Sequence, residues 1–345
     1  MKTQTQNFAN LNTSKVVNRI LKNAIGLSVV LFFGSCMPDN EVEPYQPQPN
    51  GIALNNRFEN NRIDDLEEFT IDAASGGIIT GSQGTKVNFP PNVFGLNGTP
   101  VTGQVIIQLV EIYDKSDIVL SNMSTLGRKN NGNKEALKSA GEFFINAKQG
   151  SNELELLGMI DVTSRDTAPA NMDWNMKLFR AGDELNDTDE WIEADENNDG
   201  EPDGVEFKEA QGANGVMATY NFNLGSFGWS NLDRWYSYAG PKTEIFIDVP
   251  EGYDADNCAV FLYYDGENTA IARMDVWNES LEMFTEHYGS IPIGLEVHII
   301  VVTEIDGQVY YALQGTTIVD NHIEVISSLS PITQSALETL INGLP

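Results

Sequence analysis

The chain is poor in cysteine, histidine and base, and it has no long apolar run. Two cysteines, Cys36 and Cys258, are too few for a disulfide framework or a zinc ribbon. The three histidines, His287, His298 and His322, share no metal-ligand spacing and do not fit a nucleophile–base motif. Bases are the scarcest relative to need: 20 Lys and Arg face 50 Asp and Glu, a net charge of −30. Binding to nucleic acid displaces phosphate counterions with basic surface, so this balance excludes it. The glycines at 76–84 lack the order of a phosphate loop and read as turns. Carboxylates are too plentiful to single out an acid and a base, so no catalytic residue is assigned and no enzyme is expected. What is present is ample core material, at 41% hydrophobic residues.

The first 35 residues reverse the acidic trend, with Lys2, Lys15, Arg19 and Lys22 and no acid. Residues 24–33 read AIGLSVVLFF, half the ~20 residues that a spanning helix needs but enough for a signal-peptide core. Gly34-Ser35-Cys36 then resembles the lipobox of bacterial lipoproteins, with Phe33 where Leu is usual. That resemblance implies cleavage after residue 35, acylation of Cys36 and a membrane partner through the lipid anchor. Residues 37–50, MPDNEVEPYQPQPN, are rich in proline and polar groups and suit an extended spacer, so residues 36–60 are expected to form a lipidated tether. Removing the signal leaves 16 bases against 50 acids, a charge of about −34. Cys258, in NCAVFLYY, reads as a packed thiol at the start of a buried strand.

After residue 65 short β-branched and aromatic runs alternate with Gly, Asn, Asp and Pro turns, as in QVIIQLVEI (104–112), GEFFINA (141–147) and LEVHIIVVTEI (295–305). Helical periodicity is missing between them, which predicts an all-β chain of two β-sandwich domains. The expected limits are 61–165 for the first sandwich, 166–240 for a connecting segment that helps complete it, and 241–345 for the second. A short C-terminal helix is predicted to start at Ser330-Pro331 and end at Gly343.

In the first sandwich Gly76-Gly77, Gly84-Thr85 and Pro90-Pro91 frame apolar strands in a way that resembles the β-sandwich module of ankyrins and netrin receptors. Uncharacterised Bacteroidota lipoproteins carry a related domain, and GSFGWSNLDRW (225–235) is similar to a signature in them. The resemblance covers about half the chain and implies binding or packing. Its matching positions are turn glycines, prolines and core strands, so it carries over no functional residue.

Residues 183–209 hold 13 acids and one base. Within them DENNDGEPDGVE matches a twelve-residue calcium loop, with Asp195, Asn197, Asp199, Glu201 through its carbonyl, Asp203 and Glu206 as candidate ligands and Gly200 at the bend. Ca²⁺ takes six to eight oxygens, which alternate residues of a tight loop can supply. Pro202 and the non-helical flanks fit a lone loop better than a paired EF-hand. Trp229 and Trp235 are candidate sugar-stacking residues, although their spacing also suits core positions. The expected protein is a lipid-anchored outer-membrane binder or scaffold, facing the cell surface in preference to the periplasm, with a protein or glycan partner and Ca²⁺ as the one candidate cofactor. The alternative is a glycan-binding lipoprotein of a nutrient-uptake system.

Overall fold

The strand runs read from the sequence pair into antiparallel sheets because their alternating or continuous apolar positions need a second sheet to cover them. The computed structural model describes residues 48–186, 190–195, 203–212, 215–267, 269–286 and 289–345. It is mostly β, about 50% strand and 11% helix, with several sheets and a short C-terminal helix. Among the described residues no helix is long and apolar enough to cross a membrane.

One sheet joins Glu67–Asp72, Gln104–Ile112, the long strand Lys134–Gln149, Gly228–Trp235, Lys177–Arg180 and Ile192–Glu193, in that order. A second runs Glu206–Gly212, Gly215–Leu224, Ile160–Thr163, Lys86–Phe89 and Gly77–Thr80. Between them Ile107, Phe143, Ile145 and Leu232 from the first meet Val87, Val162, Tyr220 and Phe222 from the second. Strands from 166–240 therefore lie inside both sheets, with Gly228–Trp235 directly beside Lys134–Gln149.

In the C-terminal part, Ile271–Arg273, Cys258–Tyr264, Glu296–Ile305, Gln308–Thr317 and Ser330–Ile332 form a further sheet. Its two central strands are covered on both faces, which explains their continuous apolar runs. Val260, Leu262, Val297, Ile299 and Val301 pack toward Ile245 and Ile247. Phe261, Tyr263, Ile300 and Val302 pack the opposite way, in one cluster with Val110, Phe144, Phe179 and Trp229. Three helices contribute to this middle core: Leu54 and Phe58 from Gly51–Asp64, Ile118 and Val119 from Lys115–Leu120, and Leu337 and Ile341 from Gln334–Asn342. Gln48–Trp277 and Met283–Pro345 together make one compact unit. Asn278–Glu282 is a turn in which Asn278 Oδ1 accepts from the N–H groups of Ser280 and Leu281.

Two local expectations change. The tether expected through residue 60 meets a helix at Gly51, where Asn50 accepts from the Ala53 N–H at 3.0 Å and caps the first turn. Apolar Leu54 and Phe58, one turn apart, give that helix a side to bury. The last helix starts later than Ser330-Pro331. Those residues pair as a strand edge with Tyr311 and Tyr310, and Thr333 is the N-cap.

Candidate functional site

The acidic loop is closed at its base by backbone bonds. Asp203 N–H donates to Ala194 O at 2.8 Å, Ala194 N–H to Leu178 O at 2.9 Å, and Leu178 N–H to Asp203 O at 3.3 Å. This pins the residues beside Asp195 and Asp203. Asn197, Asp199 and Glu201 lie outside the described residues, as do Cys36 and the signal segment. Glu206 opens the strand Glu206–Gly212, and its exposed carboxylate pairs with Lys208 Nζ at 3.4 Å. Among the described residues no three His, Cys, Asp or Glu side chains come together as a metal centre.

The two tryptophans separate. Trp229 is fully buried (0% exposed), its ring 5.4 Å from Phe144 and its Nε1–H donating to Leu185 O at 3.1 Å. A ring so enclosed has no face for a sugar. Trp235 is half-buried, donates Nε1–H to Glu193 Oε1 at 2.7 Å, and carries Lys129 Nζ 5.1 Å from its ring centre. The exposed tryptophan is Trp174, whose ring lies 4.4 Å from Phe207. Its local string, NMDWNMK, has no periodicity that sets it apart. Cys258 is buried, donates its thiol to Asp254 O at 3.3 Å, and is pushed up to about 12, first by burial and then by the Asp254 charge. At neutral pH it is a thiol and not a nucleophile.

Beside the base of the acidic loop, a groove of about 650 Å³ runs over the second sheet. Period-2 alternation builds it: Val87, Val162 and Phe222 point into the core, so their neighbours point out. Register then aligns the outward residues in two cross-strand rows. One is Asn88, Asp161 and Asn223; the other is Lys86, Thr163, Asn221 and Glu206. Asn88 Nδ2 donates to Asp161 Oδ2 at 2.9 Å and Thr163 Oγ1 to Asn221 Oδ1 at 2.9 Å. Ile78 and Met159 supply exposed apolar surface at the same groove. The result is an ordered array of amide, hydroxyl and carboxylate groups with the capacity to hydrogen-bond a polar ligand.

A different polar cluster lies inside. Where Lys134–Gln149 pairs with Gly228–Trp235 the register shifts, with Asn231 opposite Glu142 but Asp233 opposite Ser139. This bulge holds Glu142, Asn231 and Asp233 at 0% exposure and Ser139 at 7%. Ser139 Oγ donates to Asn231 Oδ1 at 2.7 Å, and Asn231 Nδ2 reaches Glu142 Oε1 at 3.4 Å. Glu142 Oε2 and both oxygens of Asp233 are buried without a hydrogen-bond partner. Burial pushes the Glu142 carboxyl up to about 8. It raises Asp233 well above the usual carboxylate range, with the Glu142 charge adding and the nearby Ser139 hydroxyl opposing, although that hydroxyl spends its proton on Asn231. The sequence hid this cluster. Glu142 reads as the polar position of an alternating strand, and only the packing of a second layer over that face reveals its burial.

No family model matches the chain, and no curated protein sequence is significantly similar to it.

Proposed function

We propose that the chain is a lipid-anchored envelope protein of the outer membrane, of the kind found in Bacteroidota, that acts by binding or scaffolding and not by catalysis. The basic head, ten-residue apolar core and Gly-Ser-Cys36 support the anchor. The two polar rows of the groove are the observation that carries the binding reading, because they hold donors and acceptors in fixed register on an open face. Metabolic labelling with an alkyne fatty acid tests the anchor. Label should enter the wild type and be absent from Cys36→Ser, and equal labelling of both overturns it. Protease treatment of intact cells distinguishes a surface-facing protein, which is degraded, from a periplasm-facing one, which is protected. Cross-linking on intact cells identifies the partner.

The groove also favours one specific occupant class, a glycan. Hydroxyl-rich sugars pair with amides and carboxylates, and Asn88, Asp161 and Asn221 present both. Affinity gels containing polysaccharide should retard the wild type, and Asn88→Ala/Asn221→Ala should run free at unchanged melting temperature. A stable double variant that is still retarded removes the groove as the glycan site. The acidic loop is proposed to bind Ca²⁺ in the range of extracellular modules, about 10⁻⁴ to 10⁻³ M. Calorimetry without heat at millimolar Ca²⁺ removes that part of the reading.

A further inference from the structure

We propose that Glu142, Asp233, Asn231 and Ser139 form a second, buried cation site, specific for a hard divalent ion of the calcium class, at the bulge between Lys134–Gln149 and Gly228–Trp235. Elsewhere in this fold a buried carboxylate kept for structure is fully hydrogen-bonded. Glu111, only 3% exposed, accepts from the Thr85 N–H at 2.7 Å through one oxygen and from the Gln83 N–H at 2.8 Å through the other. It is spent on closing a turn. Glu142 and Asp233 are buried more completely, yet three of their four oxygens accept no hydrogen bond.

Leaving such groups charged and unpaired is costly, so buried carboxyls without partners hold a proton or face a counter-charge. None of the ion pairs given by described residues involves Glu142 or Asp233. What converges instead is oxygen. An ion that displaces the protons held there by burial meets two carboxylates of charge −1 each, and the Asn231 carbonyl and Ser139 hydroxyl stand beside them, linked at 2.7 Å. An all-oxygen set of charge −2 suits Ca²⁺ and excludes the soft, thiolate-seeking metals.

The bulge explains how the set is assembled. Regular pairing would place Asp233 opposite Ala140; the shift puts it opposite Ser139 while Asn231 stays opposite Glu142. Gly141 makes this possible with φ +142, a conformation closed to most side chains. Because the site is sealed, the ion enters as the strands pair and exchanges slowly afterwards.

The site is independent of the acidic loop and of the groove, and the test keeps them apart. Protein refolded with Ca²⁺ and then gel-filtered is assayed for bound metal, and its melting temperature is compared with protein refolded in chelator. One ion per chain should remain in the wild type and in Asp195→Asn/Asp203→Asn. It should be absent from Glu142→Gln/Asp233→Asn, and chelator refolding should lower the wild-type melting temperature by several degrees. Asp233→Asn alone guards against a misfolded double variant: its melting curve should need at least tenfold more Ca²⁺ for the same rise. Retention of the ion by Glu142→Gln/Asp233→Asn overturns the proposal. So does a wild type that keeps no ion and melts alike in Ca²⁺ and chelator, or one that responds to Na⁺ alone.

Discussion

Two Asn–Asp pairs lie within the same sandwich and meet opposite fates. On the outer face Asn88 donates to Asp161 at 2.9 Å and both remain open to water. At the bulge Asn231 and Asp233 are fully buried, and Asp233 accepts no hydrogen bond. Residue type does not separate them. Layering does: the face of the second sheet that carries Asp161 is open, whereas the face of the first sheet that carries Asp233 is covered by the middle core. A polar row is therefore ordinary surface in one place and a demand for a counter-charge in the other.

The sharpest way to break this contrast between inside and outside is through the tryptophans on Gly228–Trp235. Trp229→Ala empties a fully enclosed site and should cost about 3–5 kcal/mol in urea unfolding. Trp235→Ala, half-exposed already, should cost about 1–2 kcal/mol, mainly through packing on Phe179 and the bond to Glu193. Equal losses would mean that the covered face is no more enclosed than the edge.

A smaller effect tests the bulge. A Cβ at Gly141 would lie 2.5 Å from Tyr113 Cε1, on a backbone with positive φ. Gly141→Ala should destabilise by about 2 kcal/mol and weaken Ca²⁺ retention together, because it disturbs the register that sets Asp233 opposite Ser139. Loss of stability with metal retention intact would uncouple the bulge from the site.

Asp117 offers an intermediate case between buried and open. Its carboxyl is pushed up to about 6, first by burial and then by the charges of Asp65, Asp114 and Glu338, against a bond from Ser116. The native state keeps a proton that the unfolded chain has released from about pH 4 upward. Stability contributed by this group is thus present at low pH and falls as pH rises toward 6. Asp117→Asn should stabilise the protein at pH 7 by on the order of 1 kcal/mol, reduced by partial exposure, and the gain should vanish below pH 4. Thermal melts at the two pH values measure it.

The outer face was within reach of the sequence and the inner one was not. Alternation in KVNF and ATYNFNL tells which residues point away from the core, so Asn88, Asn221 and Asn223 could be assigned outward. The same rule applied to GEFFINA assigns Glu142 to the face opposite Phe143 and Ile145, which is correct, but says nothing of what covers that face. Cover comes from Phe261, Tyr263 and Ile300, more than a hundred residues away, and from helices whose signals are weak. The helix Gly51–Asp64 has only Leu54 and Phe58 as fully buried apolar anchors amid asparagines, so its apolar stripe is too thin to read. The bulge is invisible for a related reason: a register shift depends on both strands at once.

The smallest expected effect is the most useful for function. Asp161→Asn on the open face keeps the volume of the side chain and leaves an oxygen to accept from Asn88 Nδ2, so stability should change by no more than about 0.5 kcal/mol. The matching change inside, Asp233→Asn, removes a buried acid whose oxygens accept no hydrogen bond and should raise stability in chelator while lowering it in Ca²⁺. The sign of that difference is the measurement, taken as melting temperature with and without the ion for both variants. If the effect of Asp161→Asn relative to the wild type also depends on Ca²⁺, the two faces share their chemistry after all, and the groove becomes a cation-dependent binding surface. If its effect relative to the wild type is the same with and without the ion, whatever retention Asp161→Asn loses on a glycan gel is lost at the groove itself, since neither the fold nor the buried ion has changed.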